Sequence, residues 1–162
     1  MRHRTWSESI KDAVLSGTIV SASTAATAAA CGARDSGSAI AAVNGVSHIL
    51  WGSDAANVRA ADLKHTVPAL LLNTGATIFW AAIYERIFGH AADRGHISKA
   101  LLGGGAVATL AYVTDYHVVP KRLTPGWEER VSNRSLGIIY VVLALSFPVR
   151  GLLRHWSRRA RG

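Results

Sequence analysis

The residues of this chain best suited to chemistry are three histidines and one aspartate: His48, His65, His117 and Asp115. Neutral imidazole is a good ligand for transition metals and haem iron, and a carboxylate can orient such a ring from behind. They come from three separate stretches, so they form a metal or haem site only if the fold gathers them. No HxxxH or ExxH pair sits on one helix to strengthen that reading. Asp115 carries the most information. It lies about five residues before Pro120 in an apolar stretch, where an unpaired carboxylate is costly and a partner is expected. The candidates are His65, His117, one of the tyrosines, or Lys64. The same set suits general-base catalysis on a membrane-bound substrate, with His117 or His65 as base and Asp115 orienting it.

Other candidates carry less. Ser47 beside His48 would point about 100° away from it on a helix, which makes no relay. Gly103-Gly104-Gly105 lacks the strand-loop-helix context of a phosphate loop. Cys31 is the only cysteine, so neither an intrachain disulfide nor a thiolate cluster can form. Ala28 to Gly32 has the small residues of a lipoprotein cleavage site. However, Glu8 and Asp12 interrupt the basic N-terminal region and position 28 is not a large aliphatic, so a retained first helix is expected.

The elements that must position these residues read as membrane helices. Charged residues make up 17% of the chain, against a usual figure of about 25%. The net charge of +8 comes from residues that flank apolar runs, with no patch interleaved with aromatics, so nucleic acid is excluded and anionic lipid is the simpler partner. The clearest run, Thr66 to Ile83, is uncharged and spans about 27 Å as a helix, close to the thickness of a bilayer core. Thr66, Asn73, Thr77, Trp80 and Tyr84 share one stripe of that helix, while Leu70, Leu71, Ile78 and Ala82 lie mostly elsewhere. The stripe should therefore meet protein and not lipid.

Spans are expected at about 13–33, 66–84, 100–119 and 135–153, the last bent near Pro148. Residues 38–52 are too short to cross and read as a re-entrant or interfacial helix. Small residues at Gly17, Ser21, Ala25 and Ala29 form a ridge for close helix packing. With four crossings, the N-terminal head, the 85–99 loop and the region from Arg150 place three, three and five Lys or Arg on one side, eleven of the eighteen. The positive-inside rule puts that side, with both termini, in the cytoplasm.

The expectation is an all-α integral membrane four-helix bundle with one additional short helix, a single membrane domain over 1–162, in a bacterial inner membrane. Its function reads as a non-catalytic assembly or accessory subunit that packs through small-residue faces, in a homo-oligomer or a larger membrane complex. A metal- or haem-binding protein is the alternative. Transport of a small solute or ion is a further one, against which no Asp, Glu, Lys or Arg falls near the middle of any span.

Overall fold

The computed structural model describes residues 4–161, and the regular elements in that range are all helical. The first helix, α1 (Trp6–Ser36), starts well before the apolar run at Ala13 because Thr5 and Glu8 form a capping box. The Glu8 backbone N–H donates to the Thr5 hydroxyl at 3.2 Å, and the Thr5 N–H donates to the Glu8 carboxylate at 2.8 Å. Gly37, at φ 69°, ends the helix in the left-handed conformation. Inside α1, Ser9, Ser16, Ser23, Thr24 and Thr27 each donate their hydroxyl to the carbonyl four residues back. A helix so rich in Ser and Thr thus presents few unpaired donors to an apolar environment.

The 39–51 segment is a broken apolar helix, with α2 (Ala39–Asn44), a 3-10 turn over Gly45–Ser47 and α3 (His48–Trp51). At about 20 Å in all it is too short to cross a bilayer. Its buried Asn44 donates to the Val58 and Ala60 carbonyls and accepts from the Thr66 hydroxyl, which fastens the segment to the next long helix.

That helix, α4 (Thr66–Ile87), runs past the expected boundary, so Glu85 and Arg86 belong to its last turn and not to a loop. The polar stretch that follows is ordered as α5 (Gly89–Asp93) and a turn at Gly95. Helix α6 (Ile97–Val113) continues as one π-helical turn, Thr114–Val118, which carries Asp115 and His117. Helices α7 (Asn133–Ser146) and α8 (Val149–Arg159) form one bent rod broken at Phe147 and Pro148, because proline cannot donate to the helical ladder.

Four segments are long and apolar enough to cross a membrane: Trp6–Ser36, Thr66–Ile87, Ile97–Val118 and Asn133–Arg159. The radial distribution agrees with lipid as the solvent. Leu71, Phe79, Leu102, Val141 and Leu145 are exposed, whereas Ser16, Thr24, Asn44, Ser47 and Ser135 are buried. In water that arrangement would be unfavourable; in a bilayer apolar side chains face outward and small or hydrogen-bonded groups pack inside. The chain is an all-α bundle of the integral membrane class.

Candidate functional site

One end of the bundle, opposite the termini, holds a cavity of about 540 Å³ between α4, the end of α6, α7 and the 39–51 segment. Three of its walls are set by local structure already described. Helix α4 contributes Asn73, Thr77 and Trp80; the π-helical turn contributes Asp115; and α7 contributes Tyr140. The widening of the helix at Thr114–Val118 is an irregularity often found at functional sites.

The polar groups of the cavity differ in how they are engaged. Tyr140 donates its hydroxyl to Asp115 Oδ2 at 2.6 Å. Asn73 donates its amide to the Ser21 hydroxyl at 2.9 Å, and Thr77 donates to the Gly17 carbonyl at 3.0 Å, so these two are tied to α1. The indole N–H groups of Trp80 and Trp127, both in the lining, make no hydrogen bond among the described residues. Aromatic rings surround the acid: Tyr112 and Trp127 both meet Tyr140 edge to face, at 5.2 and 6.4 Å between centroids. Such an arrangement offers one carboxylate, two free donors and several π faces within mostly apolar walls.

A lid covers this end. The loop after Pro120 lies on the 39–51 segment, where Gly45 and Gly126 approach so closely that a side chain on Gly126 would collide with the Gly45 carbonyl. His48, buried, binds the Thr124 carbonyl through Nε2 at 2.8 Å, and Thr124 in turn donates to Glu128 at 2.5 Å. Since a carbonyl only accepts, His48 carries its proton on Nε2. Arg122 donates to the Ile49 and Leu50 carbonyls.

The three histidines do not gather around Asp115. His48 pins the lid, and His65 binds Asp62 through Nδ1 at 2.8 Å beside the start of α4. His117 is exposed, with its ring 5.7 Å from that of Tyr112. Among the described residues no group of three His, Cys, Asp or Glu is placed to hold a metal ion. The partner of Asp115 is a tyrosine 25 residues further along the chain. Outside the spans, Asp62 is held below the usual carboxylate range by hydrogen bonds from the His65 ring and then from the His65 backbone N–H.

Within the stripe of α4, Asn73, Thr77, Trp80 and Tyr84 are buried against protein, and Thr66 is half-buried. Tyr84 donates to the Ala100 carbonyl at 3.2 Å. The small-residue ridge of α1 is used within the chain. A Cβ on Gly17 would stand 2.6 Å from the Ile78 Cα, and the Ser21 and Thr74 hydroxyls meet at 2.8 Å.

The opposite end holds a cluster that sequence reading missed. Glu85, buried, accepts two hydrogen bonds from Arg150 at 2.8 and 2.9 Å and one from Arg4 at 2.5 Å. Asp93 pairs with Arg4 and lies 3.5 Å from Arg150, while Asp12 pairs with Arg4 at 3.0 Å and with Arg150 at 3.3 Å. The N-terminal head, α1, α4, α5 and α8 thus share one ion network. Its one sequence signal is Glu85 itself, an acid directly following a long apolar run.

No protein-family model, curated protein or solved structure matches this chain.

Proposed function

We propose that this integral membrane protein binds a small apolar molecule with a cationic or hydrogen-bond-donating head in the cavity beside Asp115. The observation that carries the reading is the Asp115–Tyr140 pair in the wall of a largely apolar cavity of about 540 Å³. Ligand sites typically enclose roughly 300–1,000 Å³ and combine apolar walls with a few convergent polar groups. A protonated amine would meet the carboxylate and the π faces of Trp127 and Tyr140, while an apolar body would occupy the rest. Entry from the bilayer is favoured by the exposed residues Leu71, Gly75 and Ala76 on the lining. Uptake from lipid would serve either a binding protein or a carrier of small solutes.

The test uses the lipophilic cation tetraphenylphosphonium and purified protein in detergent, with binding followed by quenching of tryptophan fluorescence. Saturable binding that falls at least tenfold in Asp115→Asn supports the reading, since a desolvated charge pair is worth well over the 1.4 kcal/mol of a tenfold change. Equal binding by wild type and Asp115→Asn would remove it.

The orientation proposed with this function places both termini in the cytoplasm of a bacterial inner membrane. It is supported by eleven of eighteen Lys and Arg belonging to the head, the 85–99 region and the chain from Arg150. A reporter fused after Gly162 should read as cytoplasmic; an outward signal would reverse it.

Assembly with itself or with a larger complex keeps one supporting observation. Between α6 and α7 a shallow groove includes Gly105 and Gly137, where an added Cβ would meet nothing within 4 Å. Small residues left open in this way permit another helix to approach. Gly105→Ile with Gly137→Ile should shift the mass of the purified particle to that of a monomer if the groove is an interface, and leave it unchanged if not.

A further inference from the structure

At the end of the bundle that carries the termini, a cavity of about 380 Å³ lies among the last turn of α4, α5 and the first turn of α6. Its lining includes Arg86, His90, Arg94, His96 and Lys99, and neither Asp nor Glu. Arg4 also reaches it but is committed to Asp12, Glu85 and Asp93. Arg86, Arg94 and Lys99 have no carboxylate partner among the described residues. Three positive charges therefore line one hollow that no carboxylate lines, although Arg94 and His90 also border a neighbouring cavity with Glu8, Asp12 and Asp93.

Behind its wall lie two unpaired buried donors. Arg86 Nε and His90 Nδ1 are buried with no hydrogen-bond partner, and they account for two of the three such side-chain atoms among the described residues. Arg94 can only donate, so its contact with His90 Nε2 at 3.5 Å makes that nitrogen the acceptor and leaves the proton on Nδ1. Neither nitrogen reaches the surface of the hollow, but with no acceptor inside the chain these two side chains are not held away from an anion bound beside them. Helix α6 begins here too. Its N-cap, His96, makes no side-chain capping bond, so the positive end of a 17-residue helix adds to the field.

The chemistry that fits is a phosphate group, which supplies multiple acceptors to guanidinium and ammonium donors. The edge of the cavity selects between its sources. Ile87 and Leu102 line it and are strongly exposed, on helices whose outward faces are apolar. We propose that this cavity binds the headgroup phosphate of an acidic membrane phospholipid, whose acyl chains run along Ile87 and Leu102. The site is separate from the Asp115 cavity, at the other end of the bundle.

Native mass spectrometry of the full chain in detergent tests it, by titration with dioleoyl phosphatidylglycerol, dioleoyl phosphatidylcholine or inorganic phosphate. Wild type should retain phosphatidylglycerol roughly tenfold or more tightly than phosphatidylcholine, and millimolar phosphate should not displace it. The variant Arg86→Gln, Arg94→Gln, Lys99→Gln should lose that preference. A control with the same loss of charge, Arg158→Gln, Arg159→Gln, Arg161→Gln, should keep it. Because Arg86 stacks over Trp6 at 5.7 Å, the double variant Arg94→Gln, Lys99→Gln is measured alongside and should lose most of the preference while remaining folded. No preference in wild type, or equal loss in the control, would overturn the proposal. Saturable phosphate binding at these residues without a lipid preference would overturn the lipid assignment.

Discussion

Tyr140 on α7 and Asp115 on the π-helical turn after α6 are joined by a hydroxyl-to-carboxylate hydrogen bond of 2.6 Å. This bond closes one wall of the cavity beside Asp115 and is the means by which a carboxylate is held within apolar surroundings. Removing the donor and removing the charge should therefore have different consequences. Tyr140→Phe leaves the acid without its hydrogen bond and should destabilise the protein by about 1.5–3 kcal/mol, the range for hydrogen bonds to charged groups. Asp115→Asn still accepts from Tyr140 and should cost less, while abolishing recognition of a cation. Thermal unfolding in detergent together with tetraphenylphosphonium titration separates the two; a larger stability loss in Asp115→Asn would contradict this account.

Gly75 lines the same cavity at its exposed side, and a Cβ added there would meet nothing within 4 Å. Gly75→Leu should fold as well as wild type, or gain up to about 1 kcal/mol from the helix propensity of leucine over glycine. It should nevertheless weaken ligand binding by filling the entrance. Unaltered affinity in a well-folded variant would place the entrance elsewhere.

Close packing of α1 on α4 makes the opposite prediction for Gly17. Its added Cβ would fall 2.6 Å from the Ile78 Cα, a backbone atom that cannot swing away. Gly17→Leu should cost at least about 1–3 kcal/mol through forced displacement of one helix. The comparison with Gly75→Leu, at an open position outside the α6–α7 groove, controls for bulk alone and should not lower the melting temperature.

Glu85 accepts from both Arg4 and Arg150 in a buried setting. Glu85→Gln takes away the one carboxylate that both arginines bond while Asp12 and Asp93 stay beside them, and about 1.5–3 kcal/mol of stability should be lost. Asp12 and Asp93 contact the same arginines, so a double-mutant cycle of Glu85→Gln with Arg150→Gln should give clearly non-additive unfolding energies. Additivity within error would show that the pair does not act as a unit.

Acid should loosen the start of α4. Asp62 accepts from the His65 backbone N–H at 2.5 Å and from its ring at 2.8 Å, and these bonds lower its pKa. A carboxyl whose folded pKa is lowered contributes stability that is complete above the unfolded value, about 3.9, and is lost as pH falls through the folded one. Hydrogen exchange at the first amides of α4 should therefore speed up below about pH 4, while Asp62→Asn should show no such step. A step at higher pH in wild type would assign the change to another group.

Much of the architecture was legible in the sequence because lipid imposes a coarse requirement: about 20 uncharged residues per crossing, with every backbone group bonded within its own helix. Composition alone therefore located the four long helices, the short 38–52 segment and the bend at Pro148. A finer signal was also present at the N-terminus. Thr5 and Glu8 stand three apart, the spacing of a capping box, and this starts α1 at Trp6 although the residues there are polar.

What the tertiary structure alone decided is which groups meet. A helix determines the angle at which each of its own side chains emerges, but which neighbour faces that angle depends on how the rods pack. Asp115 could be recognised as needing a partner, yet His65, His117, the tyrosines and Lys64 were equivalent until α7 brought Tyr140 against it. His48 and His65 are bound by other groups, the Thr124 carbonyl and the Asp62 carboxylate, and not by Asp115. The Glu85 network joins residues 65 and 81 positions apart, so no local pattern could display it. Average hydropathy along the chain, the quantity a bilayer reads, was enough to mark an integral membrane protein with four helices long enough to cross. The sites arose only from packing, since a cavity and an ion network are properties of several helices at once.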